Sequence, residues 1–143
     1  MRAPFSPDII VYACTNALHQ DGHFPRQWAQ AGARVLVCEM PCTGKMDGQY
    51  LMHALEGGAT GICVVACPRG KCRLGQGNYR AEIRVQTIRR LLAEAGMPPE
   101  RAQLMHVLPE EDLPQLEERV RAVIGQLCAL GASPLRVDEV PQA

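Results

Sequence analysis

Four of the seven cysteines fall where apolar, extended segments end, and thiolates gathered at one place can hold a soft metal centre. Cys14 closes "DIIVYAC", and Cys42 stands two residues beyond "ARVLVCEM". Cys67 closes "GICVVAC", and Cys72 follows it in "PRGKCRLG". Iron–sulfur, zinc and copper(I) all suit such a set. A 2Fe–2S cluster takes four cysteines and tolerates irregular spacing, whereas structural zinc usually arrives on paired C-x(2–4)-C knuckles. Only Cys67 and Cys72 come as a pair here. Arg69, Lys71 and Arg73 would offset the charge of a four-thiolate centre and could steer an acidic partner. Each taken singly reads equally well as part of a solvated loop.

Whether the thiols meet depends on the elements that carry them. "DIIVYAC" (Asp8 to Cys14), "ARVLVCEM" (Ala33 to Met40) and "GICVVAC" (Gly61 to Cys67) read as strands buried on both faces, and "QLMHVL" (Gln103 to Leu108) as a fourth. Helices are expected over Phe24 to Gly32, over Met46 to Gly58 with Asp47 as N-cap, and over Tyr79 to Gly96 with Asn78 as N-cap. In the last of these, Ile83, Val85, Ile88, Leu91 and Leu92 mark the apolar face. A final helix capped near Asp112 carries Leu116, Val120, Val123, Ile124, Leu127 and Cys128 at helical spacing.

This alternation predicts an α/β fold: a three-layer open parallel sheet of about four strands, flavodoxin/Rossmann-like. Ligands of such sheets bind beyond the carboxyl ends of the strands, where strand order reverses. Strands about 4.8 Å apart would then bring the four thiols to one rim. Cys38 and Cys63 lie inside strands, and Cys128 lies on a helix face, where free cysteine acts as a small hydrophobe.

A chain of 143 residues with 47% hydrophobic content is expected to form one globular domain, 1–143, with a loose tail over 132–143. Fifteen basic residues balance fifteen acidic ones and aromatics make up only 4%, which argues against nucleic-acid binding and polybasic membrane association. No apolar run approaches the roughly 18 residues of a membrane span, and "MRAPFSPD" lacks the apolar core of a signal peptide. A cytoplasmic protein is expected. There an odd number of cysteines points to metal or redox chemistry rather than a disulfide framework.

Other chemistries find weak support. "RGKCRLGQGNY" and "CTGK" lack the complete phosphate-loop patterns. His19 and His23 stand four apart around Asp21-Gly22, while His53 and His106 read as ordinary helix and strand residues. No triad or carboxylate pair suggests a catalytic residue. The competing readings are a zinc-bound structural adaptor and a thiol–disulfide oxidoreductase using Cys67 and Cys72, whose spacing is longer than the usual C-x-x-C.

Two stretches, "MPCTGKMD" and "ACPRGKCRLGQGNYRA", resemble the "VPCSGRVD" and "GCHPGDCHYLEGNYKA" of the methyl-viologen-reducing hydrogenase delta subunit family. The resemblance runs from Ile9 to the final helix. It implies a 2Fe–2S electron-transfer subunit rather than an enzyme. Such a protein relays electrons between a hydrogenase or other donor and a heterodisulfide-reductase-like flavin/iron–sulfur subunit. The resemblance also implies Cys42, Cys67 and Cys72 as ligands, with Cys14 matching the first cysteine of the family's opening C-x-x-C. Ala17 stands in place of the second, so Cys14 completes the set or Cys38 or a histidine substitutes. Pro68, Arg69 and Lys71 replace the family's His, Pro and Asp, which implies an altered docking surface.

Overall fold

The computed structural model describes residues 8–14, 23–30, 32–40, 48–67 and 77–135. Asp47, Ala17, His19, Cys42, Arg69, Lys71, Cys72, Arg73 and most of the expected tail lie outside the described residues. Five strands form one sheet in the order β2-β3-β1-β4-β5: β1 (Ile9–Cys14), β2 (Gln27–Gln30), β3 (Ala33–Met40), β4 (Gly61–Ala66) and β5 (Ala102–His106). β1, β3, β4 and β5 are parallel, and β2 joins the β3 edge antiparallel. The helices are α1 (Gly48–Glu56), α2 (Gly77–Glu94) and α3 (Leu113–Ala129), with a short 3₁₀ turn at Pro99–Arg101.

Alternation along the strands divides the core. Ile9, Val11, Val35, Val37, Cys63 and Val65 pack with Leu116, Val120, Ile124 and Leu127 of α3. Tyr12, Ile62 and Val64 pack with Leu51 and Leu55 of α1 and with Ala81, Val85, Ile88 and Leu92 of α2. Successive side chains of a strand point to opposite faces, so runs such as Ile9–Cys14 can serve both clusters only when apolar throughout. β4 is buried at all six positions.

α3 begins as its sequence suggests. The Asp112 side chain accepts from Gln115 N at 2.9 Å, and the Gln115 side chain accepts from Asp112 N at 3.1 Å, a reciprocal capping box. At the opposite end of the strands, the Arg101 side chain is buried and donates to the carbonyls of Thr60 (2.9 Å) and Gly131 (3.0 Å). That arrangement ties the end of α3 to β4, and Ser133 just beyond it is buried.

Several expectations are corrected. The segment expected as a helix over Phe24 to Gly32 contains β2, which raises the strand count from about four to five among the described residues. Its pairing with β3 leaves a two-residue connection in which Gly32 takes φ 82°, a turn conformation open to glycine. Contacts made far along the chain hold β2 extended. The Arg121 guanidinium lies 4.8 Å from the Trp28 ring centroid, and Gln30 Nε2 donates to the Arg121 carbonyl at 2.7 Å. Local helix propensity is outweighed by this tertiary pairing.

On α2 the buried stripe is Ala81, Val85, Ile88 and Leu92, spaced 4, 3 and 4 apart, whereas Ile83 and Leu91 are exposed. α2 also begins at Gly77, so Asn78 lies within its first turn rather than preceding it.

Candidate metal centre

The parallel strands place β1 between β3 and β4, so the order of the chain reverses at β1. The crevice at its carboxyl end is where open α/β sheets bind ligands. Cys14 is the last residue of β1, paired in register with Met40, the last residue of β3. Cys67 is the first residue after β4. Their sulfurs lie 3.4 Å apart, both buried, although 53 residues separate them along the chain.

The alternation of β1 and β4 would assign an even-numbered and an odd-numbered residue to opposite faces. Cys14 nevertheless joins the α3-side cluster together with Cys67. The pair meets just beyond the last β1–β4 register pair, Ala13 with Val65.

Neither thiol is in a disulfide. A disulfide would need sulfurs about 2.05 Å apart. Two thiolates on one tetrahedral metal with bonds of about 2.3 Å would lie about 3.8 Å apart. The observed pair is close to the second value. Two soft donors, buried and almost at ligand separation, fit half of a four-cysteine metal site. Among the described residues no group of three or more His, Cys, Asp or Glu side chains is arranged to hold a metal ion.

The remaining described cysteines stand apart. Cys63 is fully buried in the core beneath α3, and burial pushes its thiol up to about 12 against the opposing influence of Arg119. Cys38 pairs in register with Tyr12, two residues back from the rim, and packs against the cluster on the α1/α2 side. Burial raises its thiol, partly offset by Arg26. Cys128 packs on the α3 side, and its thiol is raised by burial and then by Asp8. All three stay protonated near neutrality, as packing groups would.

One residue at this rim was missed by sequence reasoning. His106 is the last residue of β5, and its Nδ1 donates to the Cys67 carbonyl at 2.9 Å. The strand expected over Gln103 to Leu108 is Ala102–His106 in the structure, and only this earlier end brings His106 to the rim. His23, by contrast, is exposed and pairs through Nδ1 with Glu39 at 2.7 Å.

A mostly parallel sheet with two buried thiols at its switch point defines an α/β protein with a cysteine-bearing rim. The chain belongs to the methyl-viologen-reducing hydrogenase delta subunit family, whose pattern it matches over residues 9–131. It is 31% identical over 114 residues to an iron-sulfur subunit of the F420-non-reducing hydrogenase of Archaeoglobus profundus, covering 79% of this chain and 83% of that one. The vhu iron-sulfur subunit of the F420-non-reducing hydrogenase of Methanocaldococcus jannaschii is 30% identical over 135 residues, 91% of this chain and 97% of that one. A larger protein, from the ferredoxin:CoB-CoM heterodisulfide reductase of Methanosarcina mazei, is 25% identical over 101 residues, 70% of this chain but 12% of that one. No helix among the described residues is long and apolar enough to cross a membrane.

Proposed function

We propose that this chain is a non-catalytic electron-transfer subunit with one 2Fe–2S cluster held by Cys14, Cys42, Cys67 and Cys72. The observation that carries the reading is the buried Cys14–Cys67 pair, with sulfurs 3.4 Å apart at the switch point. Chain length supports Cys42 as a third ligand. Cys42 stands two positions beyond Met40, a reach of about 7 Å at most, and Met40 is the register partner of Cys14. Cys72 follows Cys67 by five residues. Family membership and the relatives named as iron-sulfur subunits support iron–sulfur over other thiolate centres.

When bound, such a cluster supplies reversible one-electron chemistry. The chain's own residues present the sulfurs, exclude water through the Cys14 and Cys67 burial, and anchor the ligand loops to rigid strand ends. The parallel strands, numbered among themselves, run 2-1-3-4, which supports a flavodoxin-like reading of the sheet. We read residues 1–143 as one domain acting in the cytoplasm, where reduced thiols persist. Its partners in this reading are a hydrogenase or other electron donor and a heterodisulfide-reductase-like flavin/iron–sulfur subunit; relatives named for a hydrogenase and for a heterodisulfide reductase support the general setting.

Zinc as a structural ion is the second reading, since a tetrahedral zinc site would accept the same sulfur pair. A thiol–disulfide oxidoreductase is less well supported, because Cys67 is buried and a nucleophilic thiol needs access. Anaerobic purification followed by iron, sulfide and zinc determination decides among them. About two irons and two sulfides per chain, with an EPR signal on reduction, are expected; a colourless, zinc-loaded or metal-free protein after reconstitution would overturn the proposal.

A further inference from the structure

We propose that His106 is a positioning residue for the metal centre, fixing the Cys67 peptide through its ring nitrogen; the inference rests on the cluster reading above. A carbonyl oxygen can only accept, so Nδ1 of His106 carries the hydrogen in its 2.9 Å contact with Cys67 O. The bond forms where the sheet can no longer help. The last ladder contact between β4 and β5 is Val107 N donating to Ala66 O at 2.9 Å. The next carbonyl along, that of Cys67, is bonded by a side chain instead. The following residue is Pro68, which has no N–H to offer a neighbouring strand. His106 thus extends strand-like restraint by one residue, to the residue whose sulfur faces Cys14.

The ring is largely enclosed: its side chain is 15% exposed, and Nε2, which has no hydrogen-bond partner among the described residues, lies 3.5 Å from Glu82 Oε2 on α2. The His106 carbonyl accepts from Arg119 Nη1 at 3.4 Å, and the same nitrogen bonds Glu111 Oε1 at 2.6 Å. Glu111 Oε1 also accepts from Leu108 N at 3.1 Å. Arg119 of α3 and Glu111 thus fix the backbone at and just after His106, while its ring meets the Cys67 carbonyl and lies beside α2. Partners of this kind orient ligands at metal sites, and losing them weakens metal retention without removing a ligand. A residue serving only the fold would affect melting; one positioning Cys67 should affect what the sulfur does to iron.

The test uses the full chain, reconstituted anaerobically with iron and sulfide. Wild type is compared with His106→Leu, His106→Asn and His106→Gln. Asparagine can offer an amide N–H near the place of Nδ1, whereas the glutamine amide reaches toward the place of Nε2. Far-UV circular dichroism and melting report the fold. Visible circular dichroism, EPR g-values and the rate of iron loss to a ferrous chelator report the centre.

The expected result is wild-type far-UV dichroism for the variants, iron loss several-fold faster and altered spectra for Leu and Gln, and near wild-type behaviour for Asn. Identical release and spectra in all four proteins would overturn the proposal, as would an Asn variant no better than Gln. Should the Leu variant not fold, the Asn–Gln contrast decides in the same way. A wild-type chain that takes up no iron and sulfide would overturn both this inference and the cluster reading, whereas loading that is indifferent to residue 106 overturns this one alone.

Discussion

Gly61 at the start of β4 lies directly beneath Leu127 of α3: a β-carbon placed on it would come within 2.6 Å of Leu127 Cδ2 and 3.0 Å of the Arg101 carbonyl. The helix approaches the sheet this closely because the position carries no side chain. Gly61→Ala is expected to destabilise the protein by about 1–3 kcal/mol, the usual cost of overpacking. Urea unfolding measures it. Because the clash is shared, Gly61→Ala combined with Leu127→Ala should cost less than the sum of the single changes.

Replacing a rim thiol and replacing a core thiol should have opposite consequences. Cys14→Ser is expected to reduce bound iron to background with far-UV dichroism unchanged. Cys63→Ala is expected to keep its iron while losing some stability, since Cys63 lies fully buried beneath α3. Iron analysis of the two variants side by side checks both.

Cys63 also predicts an alkaline weakness. Its thiol ordinarily ionises near 9.0, but burial holds it protonated to about 12 in the folded chain. Between those values the native state retains a proton that the unfolded chain has released. Stability is therefore unaffected below about pH 9 and falls as pH rises above it, by about 1.4 kcal/mol per unit from this group. Denaturant midpoints of the metal-free protein between pH 8 and about pH 11 should show the slope, and Cys63→Ala should remove its share.

The Asp112–Gln115 capping box makes a local prediction. Asp112→Ala removes one half of a reciprocal pair at the start of α3 and should cost about 1 kcal/mol. Asp112→Asn or Asp112→Ser should recover most of it, as read by thermal melting.

Much of this architecture is legible in the sequence because the carrying elements are strongly marked. The β-branched runs ending at Cys14, Met40 and Ala66 all form strands, although β3 is fully buried only at Val35 and Val37 and not on both faces as expected, and Asp112 with Gln115 announces the start of α3. β2 is not legible, because what holds "QWAQ" extended is β3 alongside it and Arg121, more than ninety positions further along the chain. Ile83 and Leu91 misled for a related reason: an eighteen-residue helix with five large apolar residues admits more than one stripe, and only the sheet decides which is buried. The meeting of Cys14 with Cys67 follows from reading strand ends as a shared rim. The hold that His106 has on Cys67 does not, since a backbone carbonyl leaves no trace in the order of residues.

β5 closes the sheet on the side away from β2. Since Val107 N turns toward β4, alternation turns the backbone groups of Ala102, Leu104 and His106 outward. The two terminal carbonyls of that outward row accept from arginine side chains, Ala102 from Arg89 at 3.3 Å and His106 from Arg119 at 3.4 Å. An incoming strand from another molecule would have to displace a bulky cation at either end before it could align. The margin nearest the thiols is thereby guarded against templated aggregation, and a partner must approach through side chains rather than by lengthening the sheet.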